Sequence, residues 1–138
     1  MKIGELVNNR QTLEKLRKTT VSGKLALKLH RALKPSIEQL KEYDELRNEY
    51  ILQHGETGKN GQPSIIPGTD AFTGYIAYVN EISEEEAHGG EATLSEKDLE
   101  SVELTVDDVG LLYDLGVMTE ALETPVKKGQ NKKKGEKK

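Results

Sequence analysis

The stretch TVSGKLALKLHRALKPSIEQLKEYDELRNEYILQH carries an apolar repeat that runs straight through a proline. Leu25, Leu29, Ala32 and Leu33 recur at helical spacing, while Lys24, Lys28 and Arg31 fall on another side. That spacing turns one face toward a core and the other toward water. Beyond Pro35 the period continues through Ile37, Leu40, Tyr43, Leu46 and Tyr50. It predicts about five helical turns ending at Gln53 or His54. Pro35 lacks a backbone N–H and crowds the preceding turn, so it either opens a new helix or kinks one long helix. Upstream, NNRQTLEKLRKTT spaces Leu13 and Leu16 on one face, with Asn8 or Asn9 as a cap. Thr20, Ser22 or Gly23 permits a bend before the longer element. Residues 1–54 therefore predict a helical hairpin, its first helix packed on the longer second.

What fills the core is set by composition. With one Phe, five Tyr and no Trp, it must be built from Leu, Val, Ile and Ala. Such a core holds a small fold on a thin margin. The absence of cysteine excludes disulfides and thiolate metal sites. The opening MKIGELVNNR has no apolar signal region and no run reaches membrane-span length, so the expected setting is soluble and intracellular.

Between the hairpin and the acidic half lies QHGETGKNGQPSIIPGT. Its Gly58-Lys59 pair invites comparison with a phosphate-binding loop. That motif needs a glycine five residues earlier, where Gln53 stands, and a hydroxyl residue after the lysine, where Asn60 stands. It also needs a strand in front, and an amphipathic helix precedes instead. Gly55 reads as a helix stop in a left-handed turn, and Asn60-Gly61 and Pro67-Gly68 read as further turns. Residues 55–69 are expected to be a Gly/Pro connector.

The next helix is capped by Thr69 or Asp70, with Phe72, Ile76, Val79 and Ile82 along one face. Gly74 weakens it but permits close packing against the hairpin. In EATLSEKDLESVEL, ATL and VEL are either short strands bracketing a helical turn or parts of an irregular, helical stretch. Thr105, with Asp107 and Asp108 behind it, marks a helix start, and Val109, Leu112, Tyr113 and Leu115 supply its apolar face up to Gly116. The expected fold class is mainly α. Its parts are the hairpin (1–54), the connector (55–69), an acidic helical or α+β part of the same domain (70–122) and a disordered Lys-rich tail (123–138).

Charge is strongly polarised along the chain. Residues 1–54 hold eleven Lys/Arg against seven Asp/Glu, and residues 81–108 hold eleven Asp/Glu against Lys97 alone. The last twelve, KKGQNKKKGEKK, hold seven Lys against Glu136. Glu84–Glu86 and Asp107-Asp108 read as a solvated acidic face rather than an acid/base or metal site, because no basic partner stands nearby in sequence. His30, His54 and His88 are too scattered to suggest shared ligation. No catalytic signature is present, so no catalytic, cofactor or metal residues are expected and the chain does not read as an enzyme.

Tyr43, Tyr50, Tyr75 and Tyr78 lie on predicted helices and, with Arg47, are the candidate protein-contact residues. Their competing reading is the rim of the core. Lys127, Lys128, Lys132, Lys133 and Lys134 are candidate nucleic-acid contacts through phosphate neutralisation, although no aromatic stands near them for base stacking. Self-association is a further expectation, since the Ile37–Tyr50 stripe exceeds what short partner helices cover.

The order of a leucine-rich hairpin (LALKLHRALKPSIEQLKEYDELRNEYILQHGE), a Gly-rich turn with IIPGT, a short helix and the acidic ending VELTVDDVGLLYDLGV resembles small proteins of tailed bacteriophages and prophages. The likeness covers residues 10–118, and the lysine tail departs from it. The resemblance implies an accessory of virion or tail assembly, or an inhibitor of a host protein. It implies a place in the host cytoplasm or the virion, with no catalytic residues to carry over. The expected function is protein–protein contact with a phage structural component or a host factor. The alternative is a nucleic-acid-binding accessory working through the tail.

Overall fold

The computed structural model describes residues 1–119. Among these the fold is mainly helical, with α1 (Ile3–Asn8), α2 (Arg10–Arg17), α3 (Gly23–His54), α4 (Asp70–Ser83) and α5 (Val106–Asp114). The sheet is a single antiparallel pair, β1 (Glu56–Thr57) and β2 (Pro63–Ser64). The predicted disordered tail lies outside the described residues. No helix among them is long and apolar enough to cross a membrane.

Helix α3 runs through Pro35 as one element and ends at His54, so the single-helix reading of the proline is the one realised. A proline inside a helix forfeits a backbone hydrogen bond. Leu33 and Ser36, on either side of it, are both buried. The described chain divides into two compact units, and the boundary within α3 falls directly after Pro35.

One unit joins Met1–Arg10 to Ser36–Ala87. Its α1 has no counterpart in the sequence reading, because six residues containing Gly4 are too few to display a period. Glu5 accepts the Lys2 backbone N–H at 2.7 Å, and Ile3 and Leu6 are buried. The Ile3 N–H donates to the Glu85 carbonyl and the Ala87 N–H to the Met1 carbonyl, both at 2.9 Å. Lys2 Nζ donates to Glu84 at 2.6 Å, and the α-amino group lies 3.5 Å from Glu86. The Glu84–Glu86 run is thus tied to the N-terminus, a pairing invisible in a search confined to sequence neighbours. The Glu84 carboxylate raises the Lys2 pKa through that hydrogen bond.

The connector is more ordered than its composition implied. Glu56 pairs with Ser64 and Thr57 with Pro63, closing the turn that holds Gly58, Lys59, Asn60 and Gly61. The Gly58 N–H donates to the Gln62 carbonyl and the Gly61 N–H to the Gly58 carbonyl, each at 3.0 Å. The Gln62 N–H goes to Asn60 Oδ1 at 3.0 Å. The amides of Gly58, Gly61 and Gln62 are thus engaged within the turn rather than turned toward a phosphate. Gly55 is not left-handed, contrary to expectation: the positive-φ glycines are Gly61, Gly68 and Gly116. Close approach explains it instead, since a Cβ there would stand 2.5 Å from the Ile51 carbonyl oxygen and 2.7 Å from that of Ser64.

The other unit joins Gln11–Pro35 to the described residues from His88 onward. Its core is the aliphatic one that composition demanded. Leu13, Leu16, Leu25, Leu29, Ala32 and Leu33 are buried, as are Leu94, Leu111, Leu112, Leu115, Val117 and Met118. The ATL and VEL segments form no strand; Leu94 makes one parallel bridge to Met118, and Lys97–Leu99 is a 3-10 turn. Within that turn Ser95 and Asp98 exchange hydrogen bonds, and Lys28 Nζ stands 3.0 Å from Asp98. Those bonds, the Ser95 N–H first, hold the Asp98 carboxyl below the ordinary carboxylate range.

Helix α5 starts where the sequence placed it, with Thr105 accepting the Asp108 N–H at 3.1 Å and Asp108 accepting the Thr105 N–H at 2.9 Å. Asp108 departs from the expected solvated face. It is 1% exposed and accepts from Lys15 Nζ at 2.8 Å. Burial pushes its pKa up, but the Lys15 ammonium and the two Thr105 donors outweigh burial and leave it lowered. Leu111, rather than Tyr113, completes the buried face of α5. Tyr113 is 42% exposed, its hydroxyl donating to Glu96 at 2.7 Å.

Candidate protein-contact surface

In the unit that holds α4, the end of α3 and α4 present most of the tyrosines. Tyr43, Arg47, Tyr50 and His54 succeed one another at three- and four-residue steps along α3, which stacks them on one face. Tyr50 is the hub. Its ring centroid lies 4.2 Å from that of His54, 4.6 Å from Tyr78 in a stacked arrangement and 6.0 Å from Tyr75. Phe72 extends the group at 6.4 Å from Tyr75. These centroid distances fall in the range of aromatic pair attraction, which contributes about 0.5–1.5 kcal/mol per pair.

Gly74 makes the approach feasible. A Cβ at this position would lie 2.8 Å from the Tyr50 hydroxyl oxygen, so a larger residue would force that end of the ring to shift. The close packing anticipated from Gly74 is what forms. The cap is also as anticipated: Thr69 accepts the Phe72 N–H at 3.2 Å.

The apolar face of α4 is only half-covered, and Ile76 lies outside the covered part. None of its 14 residues is fully buried. Phe72, Val79 and Ile82 are only half-covered, and Ile76 is 41% exposed. Tyr75 and Tyr78 are half-buried in the cluster to the same degree. Leu46, one turn before Tyr50, is 40% exposed. The Ile37–Tyr50 stripe is thus covered at Leu40 and Tyr43 and open at Leu46.

Of the candidate contact residues, Tyr50, Tyr75 and Tyr78 are brought together and each stays partly exposed. Tyr43 is different: at 6% exposure it belongs to the core, and its ring offers no contact face. Arg47 sits above it with the guanidinium carbon 5.7 Å from the ring centroid, a cation–π distance. One turn away, Arg10 grips Asp44 through two hydrogen bonds of 2.7 and 2.9 Å. That pairing lowers the Asp44 pKa. His54 and Phe72 were missed as members of the cluster, although the four-residue step from Tyr50 to His54 was a signal in plain view.

Lys127, Lys128, Lys132, Lys133 and Lys134 lie outside the described residues. Among the described residues no three His, Asp or Glu side chains gather into a metal-holding group. Beside α1, a shallow cleft of about 330 Å³ is lined by Lys2, Glu5, Asn8, Tyr43 and Glu84 among others. Its acids and lysine are already committed to each other and to the chain start. No family model, curated protein or solved structure matches the chain.

Proposed function

We propose that this chain is a non-enzymatic accessory protein that works by contact with another protein. The exposed edge of the α4–Tyr50 cluster is its working surface. One observation carries the reading: α4 is rich in apolar and aromatic residues, yet none of its residues is fully buried. Apolar surface left half-covered is stabilised by a partner that finishes the burial. The rings are already stacked on one another, so little side-chain freedom is lost on binding. Tyrosine also suits a surface that is wet in the free protein and dry in the complex. The resemblance to phage-encoded proteins suggests the setting, with either a virion or tail component or a host protein as partner.

The test is affinity capture from infected-cell or host extract, comparing the wild-type chain with a Leu46→Asp/Ile76→Asp variant. Both positions are about two-fifths exposed, so the variant should keep its fold, checked by circular dichroism. A defined protein retained by the wild type and lost from the variant supports the reading. Equal retention by both, or no retained protein, contradicts it. A chain lacking residues 127–138 should retain the partner. If that chain instead loses a steeply salt-dependent binding to DNA or RNA, the lysine tail and not the cluster is the working part.

A further inference from the structure

We infer that the second unit carries a self-association surface, in which the outer face of α5 in one copy receives the basic face of α3 from another. Helix α5 buries Leu111 and Leu112 and turns Val106, Gly110 and Tyr113 outward, at steps of four and three residues. Val106 is 88% exposed. With Leu104, Thr105, Val109 and Gly110 it lines a shallow groove of about 430 Å³. Gly110 has no internal explanation: a Cβ there would meet nothing within 4 Å, and its φ is not positive. Glycine is a poor helix former, and in mid-helix it leaves the backbone open to close approach from outside.

The rim of this groove identifies what fits it. Asp107 and Asp114 are exposed on the helix flank and have no cation partner among the described residues. Glu96, which accepts the Tyr113 hydroxyl at 2.7 Å, adds a third carboxylate beside the outer face of α5. A fitting partner is therefore a helix with an apolar residue flanked by Lys and Arg. The same chain presents one. On α3, Leu27 is 49% exposed, with exposed Lys24, Arg31 and Lys34 around it. Lys28 is not part of that set, being paired with Asp98. Ridge and groove belong to one unit and both stand open there, so they do not satisfy each other within a copy. A second copy supplies each with its complement.

Sedimentation velocity of the full chain over a concentration series, at low and high salt, tests this. The expected result is a dimer or larger species that grows with concentration and dissociates as salt rises. Asp107→Lys/Asp114→Lys and Lys24→Glu/Arg31→Glu variants, shown to be folded by circular dichroism, should each associate roughly tenfold more weakly. Their equimolar mixture should recover association. Val106→Lys, at a position outside the packing, should give the same loss should a charge-reversed chain fail to fold. A wild type that stays monomeric throughout overturns the inference, as does a mixture that recovers nothing. Loss of association on deleting residues 127–138 would make the tail the occupant of the groove and overturn the role of α3.

Discussion

Asp108 shows how one residue can be misread from its neighbours in sequence and explained by its neighbours in space. Its side chain caps α5 and receives Lys15, a residue 93 positions away. Its carboxyl is held below the ordinary range, so its stabilising effect is complete above the unfolded aspartate value. The effect disappears as pH falls through the lower, folded value. Asp98 and Asp44 are lowered in the same direction and lose their pairing in the same window, below about pH 4. Asp108→Asn keeps an acceptor for the Thr105 N–H but gives up the ion pair. Because Lys15 is half-exposed, the loss at neutral pH should be about 1–2 kcal/mol rather than the full cost of a buried pair. Denaturant melts of both chains across pH should show the gap closing below about pH 4. A gap that stays constant in acid would mean that the charge contributes nothing.

At the scale of the element, the long helix and the cap of α5 were legible because each rests on local chemistry. The period of Leu25 to Tyr50 and the Thr105-x-x-Asp108 spacing are readable without knowledge of the fold. Helix α1 was not legible, since its stability comes from burying Ile3 and Leu6 and from pairing with residues 84–87. The exposure of Ile76 on α4 was not legible either. Phe72, Val79 and Ile82 share the half-covered side with Tyr75 and Tyr78, and Gly74 stands against the Tyr50 hydroxyl. A double-mutant cycle makes that explicit. Gly74→Ala alone should destabilise the chain, because the methyl group meets the Tyr50 hydroxyl. In a Tyr50→Phe background the obstruction is gone, and the same change should stabilise by about 0.5–1 kcal/mol through helix propensity. Equal effects in both backgrounds would show that the hydroxyl is not what requires glycine.

For the whole molecule, the sequence foretold the aliphatic core and helical class but not the way the chain is apportioned. The units exchange chain after Arg10, Pro35 and Ala87; Pro35 and the HGGE run after Ala87 carry local signals, but neither says which stretches pack together. The candidate surface was legible as a set of residue types, since Tyr50, Tyr75 and Tyr78 stood out at once. That Tyr43 is core and His54 part of the cluster depends on burial and ring geometry, which no spacing rule reports. What unites these observations is that apolar side chains at the end of α3 and along α4 remain half-open, and the proposal that a partner protein docks on this face rests on that. Hydrogen-exchange footprinting of the chain with its captured partner tests that most directly. Added protection should fall on the end of α3 around Leu46–His54 and on α4, Asp70–Ser83; protection confined to other segments, with α4 exchanging as it does in the free chain, would contradict the account.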